Sequence, residues 1–269
     1  MLGVLAMKER VSTGILIAIL FLIVFYIGQQ WFIYSMLLLA LVGYYEFTTI
    51  IKIKKWGRKW FIGALGVFLL FIPLFNPSYE DIHIKVILAL IVSFLTATIL
   101  SEERATEQFS IEKAGTLLIG VLYIGFGFQL LVQARLEEGI IWTFTVLIII
   151  WSTDTGAYFV GKTLGKTKLA PNTSPNKTVE GSVGGIVVAF LVGLLMQWQW
   201  EVFSSYFISI MVIIFISILG QIGDLAESAL KRYFQVKDSG NIFPGHGGVL
   251  DRLDSWIFVF IGLKIIGIF

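Results

Sequence analysis

The chain has 269 residues, 57% of them hydrophobic and only 14% charged, with a mean hydropathy of +0.87. Soluble domains carry about 25% charged residues, and several stretches here approach the ~20 apolar residues of a membrane helix, so the composition excludes a water-soluble globule. The absence of cysteine removes disulfides, zinc–cysteine sites and thiol chemistry, and a net charge of +2 assigns no partner by itself.

Nine spans follow from the apolar runs, in order Val11 to Ile27, Trp31 to Ile50, Trp60 to Phe75, Ile84 to Leu100, Ala114 to Val132, Ile140 to Val160, Gly181 to Trp198, Tyr206 to Ile222 and Val249 to Phe269. Backbone in hydrocarbon must satisfy its own hydrogen bonds, so runs of this length predict helices, and the short alternating segments of a membrane barrel are absent. The expected fold is therefore all-α, a polytopic transmembrane bundle with a polar site at the cytoplasmic face. It divides into N-terminal helices with a basic loop (1–113) and a C-terminal catalytic region (114–269). The N-terminus begins like a signal peptide, with a few charges before an apolar run, but lacks a cleavage site of small residues and is read as a retained span.

Between the second and third spans, KIKKWGRKW (52–60) sets five basic residues beside Trp56 and Trp60, the pattern of an anchor at anionic headgroups. With the N-terminus placed in the cytoplasm, 17 of the 20 Lys and Arg residues fall on the cytoplasmic side; the exceptions are Lys85, Arg135 and Lys264. The connections at 76–83 and 135–139 read as plain turns, with His83 a loop residue. Residues 101–113 suggest an interfacial helix or loop. Glycines in the fifth span (Gly115, Gly120, Gly125, Gly127) and the seventh (Gly181, Gly184, Gly185, Gly193) predict close helix packing.

Polar chemistry concentrates in two places. The sixth span ends in WSTDTGAYFVGKTLGKTKLAPNTSPNKTVEG, where Asp154 lies inside an apolar run and calls for a cation, a proton or a basic partner. The lysines at 162, 166, 168 and 177, with Gly161, Gly165 and Ser174, suit polyphosphate, although the spacing is not that of a Walker loop. Glu180 then serves either as a helix-dipole carboxylate or as a contact to substrate or metal-bound water. The second place, Gly220 to Asp254, sets Asp224, Glu227, Lys231, Arg232, Lys237, Asp238, His246, Asp251, Arg252 and Asp254 between apolar segments. Asp224 with Glu227, and Asp251 with Asp254, are helical i, i+3 pairs that share a face. Hard oxygen donors favour Mg2+ or a similar cation. The turn FPGHGGVL exposes backbone amides around Gly247 and Gly248 that suit an oxyanion, and His246 there bonds phosphate, orients water or caps the next helix.

The 27 positions from Ser228 to Asp254, SALKRYFQVKDSGNIFPGHGGVLDRLD, resemble the signature of the phosphatidate cytidylyltransferases, also called CDP-diacylglycerol synthases; Asp154 to Gly181 resembles that family's second polar block. The resemblance implies a bacterial inner-membrane enzyme that condenses CTP with phosphatidic acid and requires Mg2+, with room for a second, monovalent cation such as K+. It puts metal binding on Asp224 and Asp251 with Asp254, and nucleotide contacts among Ser174, Lys177, Lys237 and the glycine turn. Lys231 and Arg232 join these in neutralising phosphates, with His246 orienting rather than deprotonating. A homodimer and no nucleic-acid partner are expected. A cation-coupled transporter, a CTP-dependent lipid kinase and a prenyl-phosphate transferase are the alternatives that share parts of this pattern.

Overall fold

Each apolar run becomes a helix, because a continuous i to i−4 ladder leaves no backbone polar group for the bilayer to solvate. The computed structural model describes residues 2–79, 81–102, 109–240, 242 and 247–269, of which 2–12 and 100–102 by backbone alone. In chain order the helices are α1 (Leu2–Ile27), α2 (Gln29–Ile50), α3 (Arg58–Leu70), α4 (Ile72–Phe75), α5 (Ile82–Glu102), α6 (Ile111–Glu137), α7 (Gly139–Leu164), α8 (Val179–Trp200), α9 (Tyr206–Tyr233) and α10 (Leu250–Ile265). All nine expected spans coincide with helices. Among the described residues seven helical segments are long and apolar enough to cross a bilayer, α3 and α4 counting together as one (Arg58–Phe75), while α1 contributes the apolar stretch Thr13–Ile27 and α10 has 16 residues.

Three details depart from the sequence reading. His83, read as a loop residue, lies in the first turn of α5, half-buried with its ring edge-on to Phe126. The third span is interrupted: α3 stops at Leu70 and α4 resumes at Ile72 with Pro73 in its first turn, a place where proline's missing N–H does no harm but through which a continuous ladder cannot run. The polar connection between α7 and α8, read as loop, contains a small antiparallel hairpin of β1 (Lys168–Ala170) and β2 (Ser174–Thr178). Its turn has Pro171 in second position and closes with Thr173 N–H donating to Ala170 O at 3.2 Å, the residue order a tight turn prefers.

The chain packs as two units, residues 1–133 with 236–252, and 134–235 with 253–269. In the first unit, Tyr44 donates to Trp60 O and the Trp60 indole donates to Thr48 Oγ1, both at 3.0 Å, which fixes the basic loop against α2. Gly120 faces the Phe47 ring and Gly125 the Leu70 side chain, so two of the predicted packing glycines do admit bulky neighbours. In the second unit, Trp142 is edge-on to Phe203 and Phe269, and the Gln197 amide closes both hydrogen bonds with the backbone of Phe203. Along α8, Val183, Val187, Leu191 and Leu195 form a stripe at spacing four, each more than half exposed. Such a stripe is what a lipid-facing helix presents, and water would not tolerate it over this length.

Candidate active site

The site in the second unit is built on α7 and α8, and these two helices meet backbone to backbone. A Cβ added at Gly185 would stand 2.7 Å from Thr153 O, one at Gly181 2.8 Å from Ala157 O, and one at Gly156 3.1 Å from the Gly185 Cα. Only glycine fits along this seam. The hairpin springs from its end and is fixed twice. Thr178 caps α8 by accepting from Gly181 N–H at 3.1 Å, and the Glu180 carboxylate accepts from the backbone N–H groups of Lys166 (3.0 Å) and Thr167 (3.1 Å). Of the roles open to Glu180, this structure records the clamping of backbone. A third tie runs from Arg232 on α9, whose Nε lies 3.4 Å from Thr173 O at the hairpin turn.

So held, the hairpin presents Lys177 to α9, where its ammonium pairs with Asp224 at 2.6 Å. Asp154 on α7, exposed, lies within electrostatic reach of Asp224 and Lys177. Asp254 on α10, buried, reaches both aspartates and bonds with Glu227. Glu227, also buried, pairs with Lys231 at 2.8 Å. Four carboxylates thus gather around two ammonium groups. The i, i+3 spacing of Asp224 and Glu227 does place them on one stretch of α9, and residues distant in sequence, Asp154, Lys177 and Asp254, join them.

In the first unit the glycine turn is organised from within the chain. Oδ2 of Asp251 accepts from Ser239 N (2.9 Å) and Gly248 N (2.8 Å), and the Ser239 hydroxyl lies 2.9 Å from it. Gly247 adopts φ +80°, open to glycine, and a side chain there would run into Asp251. The next two amides, Val249 N and Leu250 N, donate at 3.0 Å to Glu46 of α2. The amides of 248–250 therefore hold carboxylates of this chain. Glu46 was not singled out from sequence. The available signal was a lone acid inside an apolar span, as at Asp154, but Glu46 stands 193 residues before its partner Ser239.

Of the expected site residues, Asp224, Asp254, Lys177, Lys231 and Arg232 lie in the second unit together with Ser174, which opens β2 half-buried; Asp251, Lys237, Gly247 and Gly248 lie in the first, Lys237 exposed. His246 lies outside the described residues. For a divalent cation the donor type fits: the carboxyl groups of the second unit's cluster offer hard oxygen, the donor Mg2+ prefers. Among the described residues no three His, Asp or Glu side chains are close enough together to hold one. Oδ2 of Asp224 has the Lys177 ammonium as its partner, and Oδ1 lies 3.4 Å from the Ser228 hydroxyl.

Comparison with known proteins completes the picture. The model of the cytidylyltransferase family matches residues 8–268. A phosphatidate cytidylyltransferase of Bacillus subtilis (strain 168) is 40% identical over 258 residues, 94% of each chain. One of Staphylococcus saprophyticus is 39% identical over 254 residues, 94% of this chain and 96% of that one, and one of Staphylococcus aureus (strain COL) is 38% identical over the same shares. With nearly every residue inside the match, including both polar blocks and the helices between them, the chain is a member of the cytidylyltransferase family.

Proposed function

We propose that this chain transfers CMP from CTP to phosphatidic acid, giving CDP-diacylglycerol and pyrophosphate. The reading is supported by its relatives, named phosphatidate cytidylyltransferases, and carried by one observation in the structure: a rigidly clamped hairpin holds a lysine 2.6 Å from a membrane-helix aspartate within a carboxylate cluster. That is the equipment for two polyanions to meet in a membrane protein.

In the proposed reaction a phosphate oxygen of phosphatidic acid attacks the α-phosphorus of CTP. The new P–O bond forms as the bond to the β-phosphate's bridging oxygen breaks, and pyrophosphate leaves with that electron pair. A phosphate monoester has a second pKa of about 6 and is largely ionised at neutral pH, so no strong base is required. Lys177, Lys231, Arg232 and Lys237 neutralise triphosphate and lipid headgroup oxygens, with Ser174 as a hydroxyl donor at the start of the lysine-bearing strand. Gly247 and Gly248 shape the turn before Asp251, and His246 orients a phosphate. Asp224, Asp251 and Asp254 are the proposed carboxylate ligands of Mg2+, which when bound screens the repulsion between nucleotide and lipid phosphate. A monovalent cation such as K+ belongs to the same proposal. So do a homodimer, the bacterial inner membrane, a cytoplasmic N-terminus and a site opening to the cytoplasm, where CTP is dissolved.

The test is incubation of the purified protein with Mg2+, labelled CTP and phosphatidic acid. Label should enter a CDP-lipid with one pyrophosphate released per turnover. Release of CDP with a phosphorylated lipid would identify a kinase instead, and substrate movement without a product a transporter. Lys177→Ala should raise the KM for CTP about 10- to 100-fold, the equivalent of the roughly 1.5–3 kcal/mol of a hydrogen bond to a charged group. Its KM for phosphatidic acid should move less, as steady-state titration of each substrate in turn would reveal.

A further inference from the structure

A buried carboxylate persists only where donors replace the water it has lost. Glu46 on α2 is 2% exposed, and among the described residues its donors come from the C-terminal polar block: Val249 N at 3.0 Å on one oxygen and Leu250 N at 3.0 Å on the other, with the Ser239 hydroxyl 3.2 Å from the latter oxygen. Two glycines of that block owe their identity to this contact. A Cβ added at Gly240 would stand 2.5 Å from Glu46 Oε1, and one at Gly248 would overlap the carboxylate. The network then passes to Asp251. The Ser239 hydroxyl sits between the two acids, 3.2 Å from Glu46 and 2.9 Å from Asp251, its single proton serving one of them at a time, and its oxygen accepts from Asp251 N at 3.3 Å. The same turn supplies the amide of Gly248 to Asp251 Oδ2.

We infer that Glu46 is a positioning residue for the reaction: it clasps Ser239 and the amides of Val249 and Leu250, and these fix the rotamer with which Asp251 meets its cation. This rests on the proposed cytidylyltransferase reading, in which Asp251 is a metal ligand. Glu46 touches neither substrate nor cation. Its effect reaches them through Ser239 and the turn, as outer-sphere partners of metal ligands do.

The test uses the full chain in detergent, with Glu46→Gln and Ser239→Ala. Glutamine keeps the size of the side chain but turns an NH2 group toward amides that also donate. Ser239→Ala removes only the bridging hydroxyl and decides the matter should Glu46→Gln not fold. Without substrates, Mn2+ binding followed by electron paramagnetic resonance should weaken about 10- to 100-fold in Glu46→Gln, the usual loss when an outer-sphere partner is removed, and less in Ser239→Ala. Hydrogen exchange at the amides of Ser239 and 248–251 should accelerate at least ~10-fold in the metal-free protein, while those of α7 and α8 keep the wild-type rate. In turnover, half-saturating Mg2+ should rise with the Mn2+ constant, and the KM for CTP at saturating Mg2+ should stay within about two-fold. Faster exchange with unchanged Mn2+ affinity would make Glu46 a merely structural residue and overturn the proposal, as would wild-type behaviour in both readouts or no Mn2+ binding by the wild type. A wild-type chain that makes no CDP-lipid, yet whose Mn2+ affinity responds to both substitutions, would refute the reaction while supporting the clasp.

Discussion

Asp224→Asn should lower turnover by on the order of 10³-fold, the scale seen when a group stabilising transition-state charge is removed, and should leave the protein folded. The structure separates the two effects. Asp224 and Lys177 form their pair with side chains 37% and 27% exposed, and pairs this open to solvent contribute at most about 1 kcal/mol. Thermal unfolding in detergent should therefore move by only a few degrees. Activity, by contrast, loses the carboxylate that joins the lysine-bearing hairpin to the acidic cluster. The measurement is the rate at saturating CTP and phosphatidic acid across a Mg2+ titration. A wild-type rate would take Asp224 out of the site.

Gly185→Val should be the most damaging single change to the scaffold. The added Cβ would lie 2.7 Å from Thr153 O and 3.1 Å from the Ala157 Cβ, and a carbonyl inside a helix cannot swing away as a side-chain tip can. Overpacking in a dense interior costs roughly 1–3 kcal/mol, and here α7 and α8 must separate to accept the methyl groups. Because the hairpin leaves from the end of this seam, Lys177 moves with it. Loss of nucleotide affinity should accompany the fall in Tm, even in the fraction that remains folded. Gly115→Ala is the control: nothing lies within 4 Å of its added Cβ, so stability should hold or rise by up to about 1 kcal/mol, the helix-propensity difference.

Those two outcomes reflect different kinds of legibility. Asp224 could be named from sequence because a carboxylate in an apolar run has few bland explanations, and because its neighbours carried a family resemblance. Gly185 could be marked as a packing glycine, yet its neighbour across the seam could not be identified, since a run of glycines states that something approaches but not what. Helices were plain for the same reason throughout: 20 or so apolar residues admit few alternatives in lipid. The break at Pro73 was overlooked because hydropathy continues smoothly across it. The hairpin at 168–178 was overlooked because three- and five-residue strands carry too little alternation to rise above a lysine-rich loop. The turn at 247–250 reads as a cradle for an oxyanion or phosphate, and in the structure the amides of 248–250 hold carboxylates of this chain. Its occupant, Glu46, was hidden by distance along the chain, because local pattern says nothing of partners 200 residues away.

That distance has a consequence for biogenesis. The α7–hairpin–α8 segment is contiguous, so its packing can be established as soon as it leaves the ribosome, at little entropic cost for closing such a short loop. The bonds from Glu46 to Val249 and Leu250 span 203 and 204 positions, and they must wait until almost the whole polypeptide has been synthesised and inserted. Assembly is therefore ordered: the lysine-bearing strand can mature early and the clasp around Asp251 only late, and a nascent chain halted before residue 239 carries a buried Glu46 without the donors it has in the finished protein.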